Sequence, residues 1–235
     1  MFFYNTDHDV DTKLVPTAQS RASRHPPKRS TASLRCSIVS KTQRDLQPRI
    51  RFAESRLERD VFYLLSTDQE VVDIWDQPPA QIYADQCGKI RKHTFDYLAT
   101  YRSGWRLAIA VKPYARVIRG GFEQKLGLIR AQMNLDFADD ISLVTDRDLC
   151  PIRAYNAKLM FYQTQKTTPE AENALADALP LLASEMTIFD WIYKAGCKTG
   201  GFAAALRLIA GGHAMLIRHE RLSPLSEVIS AGAIK

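Results

Sequence analysis

A chain of 235 residues with 46% hydrophobic and 25% charged side chains has the composition of a soluble globular protein, long enough for one large domain or two small ones. No apolar run approaches the roughly 20 residues needed to span a bilayer, and the start "MFFYNTDHDVDTK" lacks a basic segment followed by an apolar one. The expectation is a cytoplasmic protein without a membrane partner. The formal charge of +6 is unevenly spread: between Lys13 and Arg49 stand nine basic residues, with Asp45 as the one acid among them.

Residues 1–50 therefore read as a basic arm, too poor in apolar surface to fold alone. Its charge suits either a solvated tail or a segment that binds a polyanion such as DNA. Arg21, Arg24, Lys28, Arg29, Arg35 and Lys41 are the DNA-contact candidates, and their contribution is expected to fall steeply with salt.

Residues 51–150 alternate helical and strand patterns. In "FAESRLERDVFYLLSTD" the residues Leu57, Val61, Leu64 and Leu65 recur at helical spacing. Glu54 and Glu58, one turn apart, are expected on one side of that helix. "EVVDIWDQPPAQIYAD" gives two short strands broken at Pro78-Pro79. "KHTFDYLATY" and "RLAIAVKP" flank "RSGW" and read as a hairpin turning near Gly104. "GGFEQKLGLIRAQMN" carries the helical stripe Phe122, Leu126, Ile129 and Met133, and "DDISLVTD" reads as a buried strand. The predicted order is α-β-β-β-β-α-β, an α/β layer with a mixed sheet, because the last strand returns after a helical crossover.

Residues 151–235 read as a helical domain with a short β end. "PIRAYNAKLMFYQTQK" is a helix, and Thr168-Pro169-Glu170 opens another with an N-cap and a first-turn proline. "TIFDWIYKAG" and "TGGFAAALRLIAGG" are two more, followed by the strand-like ends of "HAMLIRHERLSPLSEV". Helices closed by a β wing suggest a winged-helix module for docking DNA or protein, with a plain structural bundle as the alternative. Cys36, Cys87, Cys150 and Cys197 show no metal-ligand spacing and read as reduced thiols. His213 and His219 lack partner cysteines for zinc.

A helix carboxylate (Glu58), a strand carboxylate (Asp96) and a lysine ending the next strand (Lys112) can meet at one edge of such a layer. Carboxylates are hard ligands for magnesium, and a lysine beside them can orient or activate water. Three solvated surface residues would leave the same pattern.

Together, "ESRLERDVFYLLSTDQEVVDIWDQPP", "TFDYLA" and "AIAVKP" resemble the TnsA-type transposon endonucleases, a family with a restriction-endonuclease-like core of the PD-(D/E)XK type. The similarity runs from Ser40-Lys41 through Gln77-Pro78 and "VTDRDL" to Asn156. It implies a metal-dependent DNA endonuclease that cuts at transposon 5′ ends, using Mg²⁺ (or Mn²⁺). Glu58 and Asp96 would be its metal ligands, and Lys112 the third catalytic residue. Double-stranded DNA at the transposon ends, a DDE-type transposase and an ATP-dependent regulator are the implied partners. The chain departs from the family at Ala110, where members carry Glu or Gln. Three readings follow: a site surviving on Glu58, Asp96 and a backbone carbonyl; a carboxylate migrated to Glu54; or an inactive nuclease fold kept for DNA binding and transposase assembly. A stand-alone defence nuclease would use the same core.

Overall fold

The computed structural model describes residues 16–24, 35–165 and 168–233. Cys36–Ser40 (β1) and Arg49–Ala53 (β2) pair antiparallel, Ile38 opposite Arg51. Residues 16–24 lie beside this ribbon: Ala18 donates to Pro48 O and accepts from Ile50 N. These segments correct the expected arm over residues 1–50, whose boundary falls inside β2. The physical reason is side-chain pairing: Arg49, one of the arm's counted basic residues, pairs with Asp45 (2.9 Å), next to the fully buried Arg51 that Ile74 O, Ser40 and Asp45 hold.

Arg56–Ser66 (α1) begins at Ser55, so Glu54 lies outside the helix and not on its side as expected. Val71–Asp76 (β3) follows. Gln81–Ala84 (β4) and Ile90–His93 (β5) then form a separate antiparallel ribbon, before Tyr97–Tyr101 (β6) and Arg106–Val111 (β7) return to the main sheet. The run "KHTFDYLATY" is thus two strands, divided at residues 94–96, where Phe95 turns fully into the core. Tyr114–Gly120 (α2) and Phe122–Gln132 (α3) lead to Asp140–Val144 (β8). The four-stranded sheet has the order β3-β6-β7-β8, antiparallel except that β8 runs parallel to β7.

Strand alternation sends Ile74, Tyr97, Ile109 and Val111 to one face, against Val61 and Phe62 of α1. Leu98, Ala108 and Ala110 go to the other face, against Leu126 and Ile129 of α3. Pro151–Thr164 (α4) closes the first face: Phe161 stacks on Phe62 and Tyr63 at centroid distances of 5.7 and 5.1 Å. The expected boundary at residue 150 therefore detaches a helix that covers the sheet.

The remaining chain has a core of its own. Pro169–Asp177 (α5), a 3₁₀ turn over Leu179–Ala183, Met186–Thr187 (β9), Ile188–Lys194 (α6), Gly201–Ala210 (α7), Ala214–Leu216 (β10) and Glu227–Ser230 (β11) pack Leu175, Leu182, Trp191, Leu206 and Val228 together. The sheet order is β10-β11-β9, antiparallel. α6 and α7 meet closely at Gly201, where a Cβ would come 2.5 Å from the Ile192 side chain. The described residues thus form a mixed α/β protein with seven α-helices and several small sheets. None of its helices is long and apolar enough to cross a membrane.

Candidate active site

Glu58 sits in the first turn of α1 as half of a capping box. The Ser55 hydroxyl oxygen accepts from Glu58 N (3.1 Å), and Glu58 Oε2 accepts from Glu54 N (2.7 Å) while Oε1 accepts from the Ser55 hydroxyl (2.9 Å). The Tyr97 hydroxyl donates to the Glu58 main-chain carbonyl (3.2 Å), tying the turn to β6. The spacing Ser55-x-x-Glu58 is legible in the sequence as a capping signal, and the sequence reading passed over it.

Asp96 lies at the bend just before β6 and is buried. Its Oδ2 accepts from Val111 N (2.7 Å) and from Lys112 Nζ (3.2 Å). Lys112 follows the last residue of β7, and its ammonium also donates to Val111 O (3.0 Å). Glu58, Asp96 and Lys112 are thereby brought to one end of the sheet, two strands and a helix converging. Ala110 is fully buried among apolar side chains on the α3 face.

Burial pushes the Glu58 carboxyl up to about 7, and the neighbouring Asp96 charge adds to the shift; the Glu54 amide, Ser55 and Lys112 only partly offset it. Asp96 is also raised, by burial first, against the opposing pull of Lys112 and the Val111 amide. Two like charges are thus buried close together, with one lysine to balance them.

Glu54 caps the mouth of this cluster. It is clasped by Arg24 (Nη1 to Oε1 3.2 Å, Nη2 to Oε2 3.3 Å) and accepts from Gln77 Nε2 at 3.1 Å. Gln77 follows β3 and is the one non-glycine with positive φ among the described residues, at 46°, a conformation costing on the order of 1 kcal/mol. Its main chain is locked on both sides, N–H to Asp96 O and C=O from Ser23 N, both 2.9 Å. His93, buried against Phe95 and Phe122, is pushed down to about 3 by desolvation and then by Lys125, Lys112 and Arg24. Its Nε2 has no partner among the described residues.

Of the DNA-contact candidates, Arg21 pairs with Asp73 (2.8 Å) and lies over the Trp75 ring, while Arg24 holds Glu54. Lys41 is exposed, Arg35 is half-buried, and Lys28 and Arg29 lie outside the described residues. Of the four described candidates, Arg24 is the one seated beside the carboxylates, through Glu54.

Among the described residues no three His, Cys, Asp or Glu side chains converge as a metal-ligand set. The donors present are two carboxylates and the Val111 carbonyl. These are hard oxygens, of the type magnesium accepts while keeping water and phosphate oxygens in its other positions. With buried negative charge in excess, the donor set fits a divalent cation in chemistry, with fewer charged ligands than a site holding a third carboxylate. No model of a known protein family matches this chain, and no curated protein matches its sequence.

Proposed function

We propose that the protein is a metal-dependent DNA endonuclease subunit of a transposition machinery, hydrolysing phosphodiesters at transposon 5′ ends. The observation that carries this reading is the convergence of Glu58, Asp96 and Lys112 on one end of a helix-flanked sheet, two carboxylates buried together beside a lysine. The order α1, β3, β6, β7, α3, β8, with β8 parallel to β7, supports a restriction-endonuclease-like core. Three helices and a small antiparallel sheet in the chain order α5, β9, α6, α7, β10, β11 support a winged-helix-like end.

In this reading Glu58 and Asp96 hold magnesium or manganese, which supplies charge neutralisation at the phosphate and activation of water. Lys112 is held by Asp96 and the Val111 carbonyl within reach of the same carboxylates, and it orients the attacking water on its flexible stem. The capping box fixes Glu58, and the Val111 amide fixes Asp96, so neither side chain must reorganise. Water adds to phosphorus as one P–O ester bond breaks, leaving a phosphomonoester and a hydroxyl end. Double-stranded DNA, a DDE-type transposase and an ATP-dependent regulator are the partners that the resemblance brings, and the setting is the cytoplasm.

Ala110 favours a second reading, a nuclease fold kept for DNA binding and transposase assembly, because its methyl is buried where the family that the chain resembles carries Glu or Gln. Nicking of supercoiled DNA with Mn²⁺, alone and with the transposase, separates the two. The endonuclease reading expects nicking that falls at least ~100-fold in Asp96→Ala and in Lys112→Ala. Wild-type protein that binds DNA and never nicks it supports the assembly subunit.

A further inference from the structure

Gln77 is costly to the fold on two counts. Its backbone is left-handed, and its side chain is buried (1% exposed) with Oε1 lacking any donor among the described residues. Glycine at this position would remove both penalties. What the conformation achieves is placement. Extending the β3–β6 register by one residue sets Gln77 opposite Asp96, and the Gln77 N–H donates to the Asp96 carbonyl. The β6–β7 ladder ends with Tyr97 opposite Ile109, and at the bend Asp96 N also donates to Ile109 O (2.9 Å). Gln77 and Asp96 are thus neighbours across the ends of β3 and β6.

The amide is also oriented. Gln77 Nε2 is committed to Glu54 Oε1, and the Glu54 backbone N–H is committed to Glu58 Oε2. This chain fixes which end of the amide is the donor, leaving the carbonyl oxygen free beside the two carboxylate-bearing segments. Glu54 itself is a poorer ligand, since Arg24 and Gln77 already engage its oxygens.

We propose that the Gln77 side-chain carbonyl is a neutral oxygen ligand for the divalent cation held by Glu58 and Asp96, serving in place of the ligand that Ala110 cannot provide. The inference rests on the nuclease reading above. Amide carbonyls belong to the oxygen donors that hard cations take, and a neutral third donor leaves the two carboxylates matched by one divalent charge. Glu54 then acts as a positioning residue through Gln77 Nε2, as outer partners of metal ligands commonly do.

Calorimetric titration of Mn²⁺ into the full-length chain tests this, with and without duplex DNA. Wild type, Asp96→Ala, Gln77→Gly and Gln77→Asn are compared, and each is melted without metal. The expected result is saturable binding in wild type that is lost in Asp96→Ala. In Gln77→Gly binding weakens at least ~tenfold, while its metal-free melting temperature equals or exceeds that of wild type. Gln77→Asn tolerates positive φ with an amide one methylene shorter, and it should also bind more weakly. Both Gln77 variants binding Mn²⁺ as wild type does, while Asp96→Ala loses it, overturns the Gln77 assignment and leaves the nuclease reading standing. Wild type that binds no Mn²⁺ under either condition overturns both.

Discussion

Glu58 serves the fold with the same two oxygens that the proposed site would use. As the N3 residue of a capping box it stabilises α1, yet burial beside Asp96 makes its charged form costly, and its carboxyl is pushed up to about 7. A carboxyl raised in the folded state contributes stability that is full below its unfolded value, near 4.5, and lost as pH rises through about 7. Glutamine keeps the capping box without the charge. Glu58→Gln, free of metal, should therefore be as stable as wild type at pH 4 and more stable at pH 8, by on the order of 2 kcal/mol, as read by urea unfolding at the two pH values. Equal stability at both would mean that Glu58 carries no buried charge. This residue was singled out in the sequence by the family resemblance, which sets a helix glutamate at this distance before Gln77. Gln77's strain was not, since a positive φ outside glycine leaves no mark on local pattern.

The β1–β2 ribbon shows why the basic arm misled at the level of elements. Charge counted along the chain treats Arg49 as solvated, whereas it pairs with Asp45, which also holds the buried Arg51 just beyond the arm. Burial alone would raise Asp45. Hydrogen bonds from the Thr42 amide, Arg51, Arg49 and the Thr42 hydroxyl outweigh it and hold the carboxyl well below the usual carboxylate range. Asp45→Ala strands the Arg51 charge and should cost about 3 kcal/mol at neutral pH in chemical denaturation. A depressed carboxyl contributes stability above its unfolded value, near 4, that is lost as pH falls through the folded one. The deficit of Asp45→Ala should accordingly shrink in acid, and a deficit independent of pH would contradict this role. Most helices, by contrast, were readable, because apolar stripes such as Leu126 and Ile129 act locally; Tyr114–Gly120 was not expected, and Thr168, expected as an N-cap, makes no side-chain capping bond. The split of "KHTFDYLATY" was not readable, since only tertiary pairing with β4 distinguishes β5 from β6.

At the scale of the molecule, the parallel return of β8 and the two covered faces of the main sheet bring Glu58, Asp96 and Lys112 to one end, covered by residues 16–24 through Ser23 and Arg24. The coarse alternation of α and β segments was visible in the sequence, without β1, β2, α2 or the division of β5 from β6. The docking of residues 16–24 and of α4 was not, because both are made by long-range contacts: Trp75 Nε1 to Arg21 O, and Phe161 on Phe62. The central claim is that this end of the sheet holds a divalent cation between Glu58 and Asp96, beside Lys112. Anomalous diffraction from crystals grown with Mn²⁺ tests it most directly. The account predicts one peak in contact with a Glu58 and an Asp96 carboxylate oxygen, absent from Asp96→Ala crystals. No peak there, with the Lys112 ammonium still bridging Asp96 and the Val111 carbonyl, would contradict it.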